Sequence, residues 1–152
     1  MFKKLIKALI ICTIFVMTIP CIAFADFGDT VSLTEKGTST DIIYIKRPES
    51  LSASTSDKTY TISAVGEQGT KIKVYKYDSA KDTCTIIKNE TQIGASGLYS
   101  VVVDLPDDSN IFMVTAENQK GSQAVRIDID KIKKSTIDRL KSVTVTIRNF
   151  FR

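Results

Sequence analysis

Between Gly69 and Gly121 the chain falls into three blocks in which apolar and polar side chains alternate, each bounded by turn residues. Lys71 to Tyr77 puts Ile72 and Val74 on one side and Lys71 and Lys73 on the other. Leu98 to Leu105 gathers Tyr99, Val101, Val103 and Leu105 on one face, and Asn110 to Glu117 gathers Phe112, Val114 and Ala116. A repeat of two is the period of a strand with one buried face, because successive side chains leave opposite sides of the pleat. Pro106-Asp107-Asp108-Ser109 is a turn by its chemistry: proline presets φ, and Asp and Ser bond the nearby backbone. Asn118-Gln119-Lys120-Gly121 reads as a hairpin connection.

The same grammar extends in both directions. Thr59 to Ala64 turns Tyr60, Ile62 and Ala64 inward, and Gly66-Glu67-Gln68-Gly69 is the turn out of it. Cys84 to Ile87 follows the turn at Asp78 to Asp82, and Gln92 to Gly97 leads into the next strand. Ser122 to Asp130 is the last strand, with Val125, Ile127 and Ile129 inward and Arg126 and Asp128 outward. Leu51 to Ser54 reads as a short first strand. Ile42-Ile43-Tyr44-Ile45 favours β structure but stops at Lys46-Arg47-Pro48, since proline cannot donate to a ladder. Asp26 to Thr40 is polar, with Val31 and Leu33 as its repeated apolar positions, so residues 26–47 read as a linker or a leading strand. Short strands at regular spacing with no convincing helix between them predict an all-β, antiparallel sandwich of about seven strands.

Three of these blocks also resemble a known family. Gly69-Thr70 with Ile72 and Val74, then Gly97 through Tyr99-Ser100 to Leu105, then Asn110 with Phe112, Val114, Ala116, Asn118 and Gly121, are similar to the bacterial Ig-like domains. Those modules occur in secreted and cell-surface proteins of Gram-positive bacteria. The resemblance covers residues 48–130 and implies an Ig-like β-sandwich with a non-catalytic, modular role; it transfers no binding residue. Two departures concern strand register: Ala64-Val65 precedes Gly66, and the aromatic block is Gly97-Leu98-Tyr99, one residue longer than the usual pattern.

The two ends differ from the body. Residues 1–25 read as a signal peptide: Lys3, Lys4 and Lys7 head an apolar run from Ala8 to Ile19, and Ala23-Phe24-Ala25 supplies the small-x-small site. The run is shorter than the roughly 20 residues of a comfortable membrane span, and the alternative is an uncleaved anchor. Cleavage after Ala25 removes Cys12 and Cys21, leaving Cys84 with no internal disulfide partner. Without a neighbouring base it reads as a small apolar strand residue. The body from 26 to 130 nets −5, whereas residues 131–152 net +6. That basic amphipathic tail suggests a short helix at 135–141 behind Ser135 as N-cap, then a strand-like Val143 to Ile147.

The absence of His from all 152 residues excludes Ser-His-Asp and Cys-His catalysis and His-ligated zinc. Asp104, Asp107, Asp108 and Asn110 read as a solvated turn, with a calcium site as the alternative. No enzyme and no cofactor is expected. If Phe112 and Val114 face inward, parity sends Tyr75, Tyr77, Ile111, Met113 and Arg126 to the outer face of one sheet. This is a candidate binding face unless the tail or the segment near Ile42 to Ile45 covers it. Lys131, Lys133, Lys134, Arg139, Lys141, Arg148, Phe150, Phe151 and Arg152 are the candidate envelope contact. Each cation gains roughly 1 kcal/mol near an anionic surface, and the aromatics add interfacial burial. The expected protein is a secreted or cell-surface binding and adhesion module. Its expected partner is an envelope polymer, a membrane surface or another surface protein. The alternative is a homo-oligomeric assembly subunit pairing through its tail or edge strands. Nucleic acid is not expected, because the body is acidic and the chain carries an export signal.

Overall fold

The computed structural model describes residues 27–133 and 136. These residues form nine strands, and Thr136 alone among them is helical. In chain order they are β1 (Thr30–Val31), β2 (Ile43–Arg47), β3 (Ser52–Thr55), β4 (Thr59–Gly66), β5 (Lys71–Asp78), β6 (Thr83–Gln92), β7 (Leu98–Asp104), β8 (Ser109–Asn118) and β9 (Gly121–Lys131). They divide into a six-stranded sheet, β1-β6-β5-β8-β9-β3, and a three-stranded sheet, β2-β4-β7.

The alternation read from the sequence fixes which side chains meet between the sheets. Ile43, Ile45, Ile62, Ala64, Tyr99 and Val103 from the small sheet share one core with Ile72, Val74, Phe112, Val114, Ala116, Ile127 and Ile129 from the large one. Removing this apolar area from water is the main stabilising contribution, at about 25 cal/mol per Å².

Three expectations are corrected. The strand count is nine among the described residues rather than about seven, because the leading segment contributes β1 and β2. The pairing is not wholly antiparallel: β3 runs parallel to β9, matching Ser52 with Asp128 and Thr55 with Lys131. The leading segment, expected as a linker or one leading strand, supplies two strands, β1 and β2. Ile42, Ile43 and Ile45 lie in the core between the sheets, and β2 ends at Arg47, just before Pro48.

The leading segment crosses from one sheet to the other around the start of β9. Gly37 bridges Gln123, the Ala124 amide donates to the Lys36 carbonyl at 2.9 Å, and the Thr38 amide donates to the Ser122 carbonyl at 2.8 Å. Gly37 has φ of +80°, and a Cβ there would lie 2.4 Å from the Ser122 oxygen, so only glycine permits this approach. The buried Gln123 Oε1 accepts from the amides of Ile42 and Ile43 at 2.8 and 2.9 Å. One side-chain oxygen therefore satisfies two buried donors where the segment enters the small sheet.

Residues 1–26 and most of the tail lie outside the described residues. The expected signal peptide and the strand-like end fall there; of the expected helix at 135–141 only Thr136 is described, in helical conformation with its amide donating to the Lys133 carbonyl at 2.9 Å.

Candidate binding surface

The five residues expected to form an outer face do share one. β5 and β8 are neighbours, with Tyr75 opposite Met113, and Met113 lies opposite Arg126 of β9. The face is not open, however. Tyr75 is 0% and Met113 1% exposed, packed with Phe27, Val31 and Cys84 in a second cluster that Leu33, Tyr77, Ile86 and Ala124 flank. Among the described residues the cover is the stretch from Phe27 to Leu33, not Ile42 to Ile45. Hydrogen bonds pin it: Tyr75 Oη donates to the Gly28 carbonyl at 2.7 Å, Lys73 Nζ to the Phe27 carbonyl at 2.5 Å, and the Phe27 amide to Glu117 Oε1 at 2.8 Å. The Ile86 amide donates to the Asp29 carbonyl at 3.1 Å. Tyr75 and Met113 are thus corrected from contact residues to core residues of this second layer.

Tyr77 and Ile111 remain at the surface. With Lys76, Thr85, Ile87 and Asp107 they line an open depression of about 680 Å³. Tyr77 Oη is hydrogen-bonded to Asp82 at 2.8 Å, which holds the phenol above its ordinary pKa because the carboxylate accepts the phenolic proton. Arg126 is exposed and tied to Asp128 at 2.9 Å.

Further exposed apolar side chains lie on the other sheet. Tyr44, Val65 and Leu98 sit opposite one another across β2, β4 and β7. Tyr44 is 62%, Leu98 63% and Val102 55% exposed, the three most exposed large apolar side chains among the described residues. Thr61 and Ser63 of β4 and Ser100 of β7 fill the face between them. The Lys46 ammonium lies 5.3 Å from the Tyr44 ring centre, and Arg47 stacks 5.1 Å from Tyr60. Sequence reasoning missed Tyr44, Leu98 and Val102. The signal was present: in Leu98 to Leu105 the outward positions include Leu98 and Val102, where an ordinary solvated face carries polar residues.

Of the expected envelope contacts, Lys131 and Lys133 are described, and both amines engage this chain. Lys131 Nζ donates to the Leu105 and Pro106 carbonyls at 2.7 and 3.1 Å, and Lys133 lies 3.1 Å from Asp108. Lys134, Arg139, Lys141, Arg148, Phe150, Phe151 and Arg152 lie outside the described residues.

The acidic turn is internally paired. Lys76 sits 2.7 Å from Asp107 and holds its carboxyl below the usual range. The buried Asn110 closes the turn by donating to the Asp107 carbonyl at 2.7 Å and accepting from the Asp107 amide at 3.3 Å. No cluster of three or more His, Cys, Asp or Glu suited to a metal occurs among the described residues. Cys84 is fully buried, and burial pushes its thiol pKa up against the smaller opposing effect of Arg126.

No protein-family model matches the chain, and no curated protein matches it at the level of sequence.

Proposed function

We propose that the chain is a non-catalytic binding module of Ig-like architecture that acts outside the cytoplasm, at the cell envelope, through the outer face of its small sheet. The observation that carries this reading is the gathering of Tyr44, Leu98 and Val102 on that one face. Exposed aromatic and aliphatic side chains interleaved with hydroxyls, with Lys46 and Arg47 at the margin, have the composition of a recognition surface. The topology supports the Ig-like reading. The order β6-β5-β8-β9, facing the β4-β7 pair, parallels the C′-C-F-G strands facing B and E in that architecture. The basic tail supplies the second contact, with anionic envelope polymers or lipid headgroups.

Two measurements test this. Full-length protein expressed in a Gram-positive host is fractionated at low salt, and the mature chain is expected with the envelope. Recovery wholly in the medium removes the envelope reading. Sedimentation of the mature chain with purified cell walls is then compared for the native sequence and Tyr44→Ser/Leu98→Ser. A central aromatic anchor contributes about 2 kcal/mol or more, so affinity is expected to fall about 30-fold. Unchanged affinity removes this face as the contact.

A further inference from the structure

The two hydrogen bonds that close the β4–β7 ladder reveal which way β7 points its backbone. The Gly66 amide donates to the Gly97 carbonyl at 3.0 Å, and the Leu105 amide donates to the Lys58 carbonyl at 2.8 Å. Both pairs continue the register that sets Val65 opposite Leu98 and Thr59 opposite Asp104. In an antiparallel ladder bonded pairs alternate with non-bonded ones. Odd-numbered residues of β7 therefore bond β4, and Leu98, Ser100, Val102 and Asp104 aim their amides and carbonyls away from it. β7 is terminal in its sheet, so among the described residues no strand takes up those groups. The Leu98 amide has a local partner, Ser96 Oγ at 3.3 Å.

The other sheet edges are blunted. β2 carries a register break between Ile45 and Arg47, two cations and a following proline. β1 has two residues and β3 four, and β6 carries Lys88 and Glu90 beyond its pairing with β1. β7, by contrast, has seven residues, Leu98–Asp104, with no Lys, Arg or Pro and no register break. Such an edge is a template for another strand.

We infer that β7 pairs with β7 of a second copy, antiparallel about a two-fold axis at Ser100, joining the two small sheets into one of six strands. The register follows from the side chains. Setting Ser100 opposite its counterpart places each Leu98 against the other copy's Val102, which covers two of the most exposed apolar groups and keeps each Asp104 clear of the pairing. All three matched positions are even-numbered, as the direction of the free backbone groups requires. The paired strands carry no charge between Leu98 and Val102, so like-charge repulsion is absent. On the inner side, a groove of about 470 Å³ between Lys88–Gln92 and Leu98–Val101 leaves room for the incoming strand's side chains. The contact is isologous and closes at two. It does not depend on the binding reading, because an edge can pair whether or not the face beside it has a ligand.

The test uses the mature full-length chain. Light scattering across concentration is expected to show a monomer–dimer equilibrium that Ser100→Lys abolishes, since it sets two ammonium groups opposite each other at the axis. Circular dichroism of Ser100→Lys is expected to match the native protein. The register is read by cysteine scanning: bonded antiparallel pairs have Cα atoms about 5.5 Å apart, within disulfide reach. Ser100→Cys is expected to form a disulfide-linked dimer on mild oxidation, and Val102→Cys to remain monomeric. A strict monomer in which Ser100→Cys does not cross-link overturns the inference. So does a monomer that dimerises only after removal of residues 134–152, which would assign the edge to the chain's own tail. Cross-linking at 102 but not at 100 overturns the register.

Discussion

At the scale of single residues, the protein's few buried polar groups decide more than its many apolar ones. Gln123 Oε1 serves two amides that are cut off from water. Gln123→Met keeps the volume and removes the acceptor, which strands both donors at about 1–3 kcal/mol each. Chemical denaturation is expected to show a loss of several kcal/mol, well beyond that of an ordinary surface substitution. Thr70 is the opposite case. Its hydroxyl is buried without a hydrogen-bond partner, so Thr70→Val, close in shape, is expected to raise stability by about 1 kcal/mol in the same assay. Asp107 carries a pH signature. Lys76 lowers its folded pKa, so the pair's contribution is fully present above the unfolded carboxylate pKa. It fades progressively as pH falls below that value and is gone once pH has fallen through the lowered folded pKa. A carboxyl-carbon NMR titration is expected to place the Asp107 midpoint below that of an ordinary aspartate and to return it there in Lys76→Met. The exposed pair adds little to stability.

At the scale of elements, the period-two pattern made β4, β5, β7, β8 and β9 legible, including which side chains face inward: Ile62, Ile72, Val74, Phe112, Val114 and Ile127 are all fully buried. Parity also placed Tyr75 and Met113 on the opposite face. What covers that face was not legible, because the covering stretch spreads Phe27, Val31 and Leu33 among Gly, Asp, Thr and Ser. Its position is fixed by backbone carbonyls of Phe27 and Gly28 and by the Glu117 side chain, and carbonyls leave no trace in a sequence pattern. β1 is only two residues long, too short for periodicity to register. Phe27→Ala is expected to loosen this cover and destabilise the chain by about 3 kcal/mol. The readout is Cys84, which packs beneath it. The native thiol is expected to resist alkylation at neutral pH, and that of Phe27→Ala to react many times faster at a denaturant concentration where both variants remain folded.

At the scale of the whole molecule, the two sheets play different parts. The large sheet has the Tyr75 and Met113 part of its outer side covered by its own leading segment, and the small sheet keeps Tyr44, Leu98 and Val102 exposed. The candidate surface eluded sequence reasoning because parity alone assigns an outward side chain without saying which sheet keeps its outward side open. Charge followed a similar course. Lys131 and Lys133 belong to the basic tail by composition, yet the fold uses them on Leu105, Pro106 and Asp108. Neutralising both is therefore expected to lower the melting temperature by a few degrees and to leave wall binding unchanged. Salt titration of that binding reads the cations beyond residue 133, with affinity falling as ionic strength rises.

The crossing of the leading segment over Ser122, Gln123 and Ala124 also bears on biosynthesis. A chain emerging from the ribosome or through any narrow channel presents residues 27–47 first, but their docking site at the start of β9 comes out some eighty positions later. Until then the early segment has nothing to close upon, so a nascent chain ending at Asn118 is expected to be digested by protease at low dose, whereas one extended past Lys131 survives. Such a polypeptide stays threadable for most of its passage and locks only when β9 arrives.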